Sequence, residues 1–362
     1  MALDPVFAPI TRRAPELPAS LKLPAIKPTT DTLLEHAIQQ RLAPAGAPEH
    51  ALGRMEVLVQ QLARIQSNSP LEFDLLAFES PQLVVFAADH GIADEGMSDL
   101  EQSMTAEHVF QLLLGLAPVN ALAQTHGFEL TVVDAGVATH VTLPEEAHRR
   151  APLLPRKIGH GTRNLLLGPA MSQAQAVSAL HAGMDVVRHL PGNVIALGDL
   201  GVANHVSASL LLSRLCGVPL ADAYGRDDGL LDDSLHQQRI EKLSTAASRH
   251  RKAIGVLDVL STMGGFEIAM MAGAMLQAAS ERRVVLVDGY VAGAAALVAR
   301  GLNPAVTDYL VFAHRAADTG HRMLLIHMQA LPLLDLGLRV GQGTGALLAW
   351  PLLLAAQGLL EN

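Results

Sequence analysis

Residues 193–201 have the sequence NVIALGDLG, an apolar run that ends in two glycines flanking an Asp-Leu pair. Similar runs occur three more times in the middle of the chain, as LVVFAADHG, ELTVVDAGV and RVVLVDGYV. We expect each run to be followed by a turn and a longer helix rich in Ala, Leu and Met. Short continuous apolar runs are typical of strands covered on both faces. The sequence therefore predicts an α/β fold, with a parallel sheet and crossover helices in a Rossmann-like three-layer arrangement.

Polar side chains follow these predicted strands. In a parallel sheet the ligand crevice lies outside the carboxyl ends of the strands. The side chains predicted to lie at this edge are Asp89, His90, Asp134, Asp199 and Asp288. We expect the functional site there.

Composition restricts the kind of partner. The chain has 362 residues, of which 50% are hydrophobic, and a formal net charge of -9 with no cluster of Lys or Arg. An acidic chain of this kind is a poor match for nucleic acid, so we expect a small-molecule partner. The start, MALDPVFAPITRR, lacks the basic and apolar regions of a signal peptide, which predicts a cytoplasmic protein.

The apolar run GALLAWPLLLAAQGLL near the C-terminus is too short for a membrane span of about 20 residues. Because Pro351 also interrupts it, we expect a buried helix and no membrane insertion.

Four segments are predicted along the chain. Residues 1–30 are proline-rich and form an irregular arm, and residues 31–75 contain two amphipathic helices that contribute to a small helical domain. Residues 76–325 form the parallel α/β domain with the ligand crevice. Residues 326–362 form a loop and helix that complete the site and the small domain.

Two glycine-containing turns are candidates for anion binding. The segments GDLGVANHVSAS, residues 198–209, and STMGGFEIAMMAGAMLQAAS, residues 261–280, each lead into a predicted helix. Small residues there let backbone N–H groups approach an anion at a helix N-terminus. Tight packing of a turn explains such glycines equally well, and the helix dipole alone would favour Glu267 in the first turn.

The segment AHRAADTGH contains His314, Asp318 and His321, but their spacing differs from that of HExxH. We therefore expect no metal.

The segment LRVGQGTGALLAW, residues 338–350, places glycines and a threonine around Gln342. The glycines permit close approach to a ligand. An amide donates and accepts hydrogen bonds but cannot take a proton from a substrate near neutral pH. Gln342 is therefore predicted to contact a ligand without acting as a base.

Together these segments resemble the nicotinate-nucleotide:dimethylbenzimidazole phosphoribosyltransferase family of cobalamin nucleotide-loop assembly. The similarity extends from about residue 38 onward. It depends on LGRMEVL, AADHGIADEGMS, KIGHGTRNLLLGPAMSQAQA, GDLGVANHVSAS, GGFEIAMMAGAML, VLVDGYVAGAAAL, AHRAADTGH and PLLDLGLRVGQGTGALLAWPLLLAA. The resemblance implies a parallel α/β domain with a small helical domain, a homodimer, and no cofactor. It also implies transfer of 5-phosphoribose from nicotinate mononucleotide to a nitrogen of a lower-ligand base.

The resemblance also assigns site residues. The proposed base of the family is the glutamate of GEGTGA, which corresponds here to Gln342, and the second carboxylate, in GEMGxGN, corresponds to Asp199. The residues implied in binding phosphate and ribose are Gly201, Asn204, Gly264, Gly265, Ala313, His314, Gly341, Gly343 and Thr344. The residues implied in binding the acceptor are Asp89, His90 and Ser98.

Several letters depart from the family pattern. Ala313 and Ala316 replace two hydroxyl residues of SHRSAEPGH. Asp227 and Asp228 replace the small residues of GRGTG, where like charge would repel a phosphate.

Two further departures lie near these motifs. The expected downstream lysine falls on Gln238 or Arg239, depending on the gap. After Ser98, an aromatic-proline stretch of the family is replaced by Asp-Leu-Glu. The pattern favours a divergent member or a paralogue.

Two functions fit these observations. The first is an active phosphoribosyltransferase with an altered acceptor or base, since the glycine framework is retained. The second is a non-catalytic paralogue that binds a nucleotide or azole, or a subunit beside a catalytic partner chain. A Rossmann-type oxidoreductase fits poorly, because the chain lacks a GxGxxG motif with an acidic residue at the required distance.

Overall fold

A computed structural model of the chain describes residues 17–42, 50–67, 76–142, 148–225 and 232–361. Its centre is a six-stranded sheet in which every pairing is parallel. The strands are β1 (Gln82–Ala88), β2 (Glu129–Gly136), β3 (Leu153–Pro155), β4 (Val194–Leu200), β5 (Val284–Val287) and β6 (Leu310–Phe312). The spatial order, β3-β2-β1-β4-β5-β6, is that of the doubly wound nucleotide-binding fold. The predicted fold class is therefore confirmed.

Thirteen α-helices are present in the described residues. The first seven are α1 (Thr32–Leu42), α2 (Arg54–Gln66), α3 (Met104–Leu114), α4 (Pro118–His126), α5 (Gln173–Arg188), α6 (Asn204–Cys216) and α7 (Leu220–Tyr224). The remaining six are α8 (Asp233–Arg249), α9 (Val256–Met263), α10 (Phe266–Ser280), α11 (Tyr290–Leu302), α12 (Thr319–Met328) and α13 (Thr344–Glu361). Short 3₁₀ helices cover Gly91–Glu95 and Pro304–Tyr309.

Continuous burial explains why the apolar runs become central strands. All seven residues of β1 are buried, so both faces of this strand are covered.

Helices α5 and α10 pack closely because glycines lie at their crossing. A Cβ added to Gly183 would lie 1.9 Å from the carbonyl oxygen of Met270, and one added to Gly273 would lie 2.0 Å from that of Leu180. Larger residues at either position would separate the two helices.

The helices at the two ends of the chain meet. The predicted helices in residues 31–65 are confirmed as α1 and α2, and both pack against α13. The division into domains stays a prediction, and its boundary between residues 325 and 326 falls inside α12. Residues 17–31 contain no helix or strand, whereas residues 1–16 lie outside the described residues.

The structure corrects several local expectations. The four predicted strands are confirmed, but β3 and β6 were not predicted, nor was the parallel pair β7 (His314–Ala316) and β8 (Leu334–Leu338). The described residues between β2 and β3 contain no crossover helix; α5 follows β3 instead. The turn at Gly264 and Gly265 joins α9 to α10, so it follows a helix rather than a strand.

Two stretches, Met104–His126 and Thr344–Glu361, are long and apolar enough to span a membrane by length and composition alone. The first is interrupted at Gly115, where α3 ends. Half of the second, which is α13, is buried inside the protein. Packing against α1, α2 and α4 accounts for the apolar surface of α13.

Candidate functional site

The strand order reverses between β1 and β4, where a ligand crevice is expected in this fold. Asp199 lies near the carboxyl end of β4, opposite Phe86 of β1 in the parallel register. The loop before α13 packs on this point of the sheet. A Cβ added to Gly198 would lie 2.4 Å from the backbone carbonyl carbon of Gln342. The glycine therefore allows two segments that are distant in sequence to meet beside Asp199.

The loop that carries Gln342 is fixed by a buried carboxylate. The backbone N–H of Gly343 donates to Oδ2 of Asp288 at 2.9 Å, and that of Ala346 donates to Oδ1 at 3.0 Å. Asp288 is 0% exposed, and it directly follows β5. Gln342 itself has a φ of 65°, which few non-glycine residues adopt. Asp288 thus stabilises a constrained loop conformation at the N-terminus of α13.

The carboxyl of Asp199 has an unusual protonation equilibrium. Its pKa is raised to about 7, chiefly by burial and then by the negative charges of Asp288, Glu267 and Asp318. One hydrogen bond opposes this effect, since Nδ2 of Asn204 donates to Oδ2 of Asp199 at 2.8 Å. A carboxyl with a pKa near 7 exchanges a proton readily at neutral pH.

A buried pair, His90 and Glu267, lies close enough to Asp199 to interact with it electrostatically. Nε2 of His90 is 2.7 Å from Oε1 of Glu267, and both side chains are 0% exposed. Nδ1 of His90 is 3.1 Å from Oγ of Ser207 in α6. Burial alone would lower the pKa of His90, but the charges of Glu267 and Asp89, with the hydrogen bond to Glu267, outweigh it and raise the pKa. Glu267, which the helix dipole alone could explain, therefore has a specific partner.

Asp89 is also buried, being 1% exposed. Its Oδ2 accepts a hydrogen bond from the backbone N–H of Ala138 at 2.7 Å. Burial raises its pKa. Asp89 and His90 are thus held by contacts within the protein, and their predicted role in acceptor binding stays a prediction.

Two cavities open at this edge of the sheet. The first, the Asp199 cavity, has a volume of about 110 Å³. It is lined in part by Asp199, His205, Tyr290, His314, Asp318 and Gly341. The second, the Ser98 cavity, has a volume of about 200 Å³. It is lined in part by Ser98, Leu100, His205, Tyr224, Arg239 and Asp318. Because both include His205 and Asp318, the two cavities are adjacent.

The structure brings together only some of the residues predicted to bind phosphate and ribose. His314 and Gly341 line the Asp199 cavity. Gly201, Asn204, Gly343 and Thr344 belong to the turns and helix starts around it, and Asn204 reaches it through its bond to Asp199. Gly264, Gly265 and Ala313 are buried and line neither cavity.

Gly265 lies instead against the buried histidine. A Cβ added to Gly265 would lie 2.4 Å from Cε1 of His90. The second glycine turn therefore contacts the end of β1, although it follows a helix. Its predicted role in phosphate binding stays a prediction.

The histidines of the segment 313–321 are buried. Nε2 of His314 lies 3.3 Å from Oδ1 of Asp288, but within the described residues neither ring nitrogen forms a hydrogen bond. Nδ1 of His321 accepts from the backbone N–H of Ala316 at 3.0 Å. Burial and the neighbouring His314 lower the pKa of His321 to about 3. In the part of the chain that the structure describes, no group of three His, Cys, Asp or Glu side chains is placed to hold a metal ion.

Gln238 and Arg239, the two candidates for the position of the family's lysine, differ in their surroundings. Arg239 is buried and lines the Ser98 cavity, whereas Gln238 is exposed on the same helix. Asp227 and Asp228 lie outside the described residues.

Sequence reasoning did not assign four features of the site. It placed Asp288 at the sheet edge without a role, and it gave no role to His205 or Tyr224. It predicted the turn at Gly289, which precedes α11, but gave this turn no role, although Gly289 lines the Asp199 cavity. The run RVVLVDGYV contained the signal for this turn, because a glycine there separates a strand from a helix.

The chain is similar to several known proteins over nearly its whole length. A sequence model of the family described as phosphoribosyltransferase matches residues 27–362. A nicotinate-nucleotide:dimethylbenzimidazole phosphoribosyltransferase from Cupriavidus taiwanensis is 46% identical, over 94% of this chain and 96% of its own. The corresponding protein from Dechloromonas aromatica is 42% identical, over 92% and 94%.

A solved structure supports the same assignment. The crystal structure of the protein of that name from Thermus thermophilus aligns with a TM-score of 0.82 and 32% identity, over 92% of this chain and 96% of the other. This chain therefore belongs to the nicotinate-nucleotide:dimethylbenzimidazole phosphoribosyltransferase family.

Proposed function

We propose that this chain transfers the 5-phosphoribosyl group of nicotinate mononucleotide to a ring nitrogen of a benzimidazole-type base. The bond between the ribose carbon and the nicotinate nitrogen breaks, and a bond from the same carbon to the acceptor nitrogen forms. The acceptor N–H loses its proton to a base on the protein, and nicotinate leaves with the electrons of the broken bond. The names of the relatives support both substrates.

The observation that carries this proposal is the carboxyl of Asp199. It lines a cavity at the carboxyl edge of the sheet, and burial is the main reason that its pKa is about 7. A base whose pKa lies near the working pH combines a large deprotonated fraction with useful proton affinity. Asp199 is therefore the proton acceptor that the amide of Gln342 cannot be.

Asp199 has a second effect when it is deprotonated. Positive charge develops at the ribose carbon as the bond to nicotinate breaks, and a nearby carboxylate stabilises that charge. Gln342 lies on the adjacent loop, where its amide orients the acceptor by hydrogen bonding without exchanging a proton.

Backbone N–H groups at helix N-termini favour the binding of a phosphate such as that of the donor. Three helices begin around the Asp199 cavity, namely α6, α11 and α13. The turn from Gly201 to Asn204 leads into the first of them, and Gly264 and Gly265 remain part of the proposed cradle. We also propose that the protein acts as a cytoplasmic homodimer.

The test is product analysis by mass spectrometry after the purified protein is incubated with nicotinate mononucleotide and a panel of benzimidazoles, purines and phenols. We expect free nicotinate together with an alpha-ribazole phosphate or its analogue. The Cupriavidus taiwanensis relative is the positive control, and the Asp199→Asn variant is the negative control. Absence of nicotinate release under conditions in which the relative is active would refute the proposed transfer.

A further inference from the structure

Tyr290 connects the two cavities. It is the first residue of α11, it lines the Asp199 cavity, and it is 5% exposed. Its hydroxyl donates to the carbonyl oxygen of Ala223 at 2.6 Å. Ala223 lies in α7 directly before Tyr224, which lines the Ser98 cavity. One side chain therefore forms part of the wall of one cavity and holds the wall of the other.

Helix α7 needs hydrogen-bond donors from outside itself. The last four carbonyl groups of an α-helix have no intrahelical donor, and α7 has only five residues. Burial raises the pKa of the Tyr290 hydroxyl above its ordinary value of 10, so this hydroxyl keeps its proton and stays a donor at neutral pH. Ser209 also interacts with Tyr290, but its hydroxyl has an acceptor of its own, the carbonyl oxygen of His205 at 2.7 Å. Loss of the Tyr290 hydroxyl would therefore act mainly on α7.

The surroundings of this hydrogen bond are closely packed. A Cβ added to Gly320 in α12 would lie 2.0 Å from the carbonyl oxygen of Ala223 and 2.6 Å from the hydroxyl oxygen of Tyr290. Gly320 follows Asp318 and Thr319, which line the Ser98 cavity, and Asp318 also lines the Asp199 cavity. The first turn of α12 therefore packs directly against the contact between α7 and α11.

We infer that Tyr290 is a positioning residue, whose hydroxyl holds α7 in place so that the acceptor base, rather than water, reaches the ribose carbon where the two cavities adjoin. The inference deepens the proposed function and depends on it. Transfer forms a bond from the ribose carbon to the acceptor nitrogen, whereas attack by water forms ribose 5-phosphate and releases a proton. Nicotinate leaves with the electrons of the broken bond in both reactions.

Displacement of α7 affects both reactions. Tyr224 and Gly225, at the end of α7, line the Ser98 cavity, so their displacement opens this cavity to water beside the ribose carbon. Exclusion of water is what prevents hydrolysis in a closed active site. Misplacement of a reactant by about 1 Å also slows transfer, by up to about 100-fold. A displaced α7 therefore increases hydrolysis relative to transfer.

The test compares the amounts of nicotinate and ribosylated base formed from nicotinate mononucleotide at saturating dimethylbenzimidazole. Equal amounts mean complete transfer, and an excess of nicotinate measures hydrolysis. Tyr290→Phe keeps the ring and removes the hydroxyl. Loss of one hydrogen bond changes an equilibrium constant about three- to tenfold, so we expect the ratio of hydrolysis to transfer to rise by about this factor. The ratio does not depend on the amount of active protein, so partial unfolding alone would leave it unchanged.

Tyr309→Phe is the matched control. Tyr309 is also buried, and its hydroxyl donates to a backbone carbonyl, that of Lys27, at 2.7 Å. It lines neither cavity. Removal of this hydroxyl breaks a hydrogen bond of the same kind and should leave the ratio of hydrolysis to transfer at the wild-type value.

Gly320→Ala displaces α7 by a second route. The added Cβ meets the carbonyl oxygen of Ala223 while the hydroxyl of Tyr290 is retained. We expect this variant to raise the ratio of hydrolysis to transfer as Tyr290→Phe does. Wild-type ratios in Tyr290→Phe and Gly320→Ala, or an equal rise in Tyr309→Phe, would overturn the inference.

Amide hydrogen exchange provides a readout that needs no turnover. The amides of Leu220–Tyr224 should exchange faster in Tyr290→Phe than in the wild type, and at the wild-type rate in Tyr309→Phe. If nicotinate release fails in every protein but α7 exchanges faster as expected, the proposed transfer fails and the attachment of α7 by Tyr290 stands. If transfer proceeds and neither the exchange of α7 nor the ratio changes, the positioning role fails and the transfer stands.

Discussion

The rate of phosphoribosyl transfer should depend steeply on pH between 6 and 8, because Asp199 is the proposed proton acceptor. Burial and neighbouring negative charges raise the pKa of this carboxyl to about 7. A base with that pKa is about 9% deprotonated at pH 6 and about 91% deprotonated at pH 8. We therefore expect kcat/KM to rise about tenfold over this interval and then to level off.

The assay is the initial rate of nicotinate release, measured from about pH 5 to about pH 9 at constant ionic strength, for the wild type and Asp199→Asn. Phosphate monoesters also titrate near pH 6, but the substrate contributes this effect equally to both proteins. The variant should lose about 100-fold or more in rate, as is typical when a general base is removed, and its residual activity should lack the pH dependence near 7. A flat wild-type profile, or the same titration in both proteins, would show that Asp199 is not the base.

Four other measurements test the same geometry. Glu267→Gln removes a charge that raises the pKa of Asp199, so the rise in kcat/KM should move to lower pH; an unchanged or higher midpoint would contradict this coupling. Asp199→Asn should stabilise the folded protein above pH 4. The raised folded-state pKa of Asp199 leaves the free energy of unfolding unchanged below the unfolded value of 3.8, but lowers it by at most about 4 kcal/mol above pH 7. Thermal melts of both proteins should therefore diverge as the pH rises from 4 to 8, and parallel curves would be inconsistent with this cost. Gly198→Ala places a Cβ 2.4 Å from the Gln342 backbone, and the displaced loop should lower kcat/KM about 100-fold while circular dichroism stays near that of the wild type; full activity would mean that the loop position is unimportant. Gln342→Glu adds a second potential base, and dimethylbenzimidazole turnover should increase about tenfold or more under identical substrate concentrations; no increase would implicate the substitutions at Ala313 and Ala316.

The sequence determined the central sheet because the pattern that predicts a strand lies within one short stretch of residues. Four continuous apolar runs, each long enough for one strand, predict a sheet covered on both faces, and β1 is buried along its whole length. The same runs end in polar residues, so the position of the crevice also follows from the sequence. Short strands such as β3 and β6 were missed because three residues carry too little pattern to distinguish a strand from a loop.

The chemistry of individual residues was decided only by the tertiary structure. Nothing near Asp199 in sequence predicts its raised pKa, which depends on burial and on charges from residues 267, 288 and 318. Sequence reasoning likewise left Gln238 and Arg239 equivalent, whereas the rotation of α8 places Arg239 in the Ser98 cavity. Burial, charge and hydrogen bonding act through space, and a folded chain brings together residues that lie far apart in sequence. The sequence by itself therefore determined where the proposed site lies, and the packing of distant segments decided which carboxyl there has the raised pKa that the proposed transfer uses.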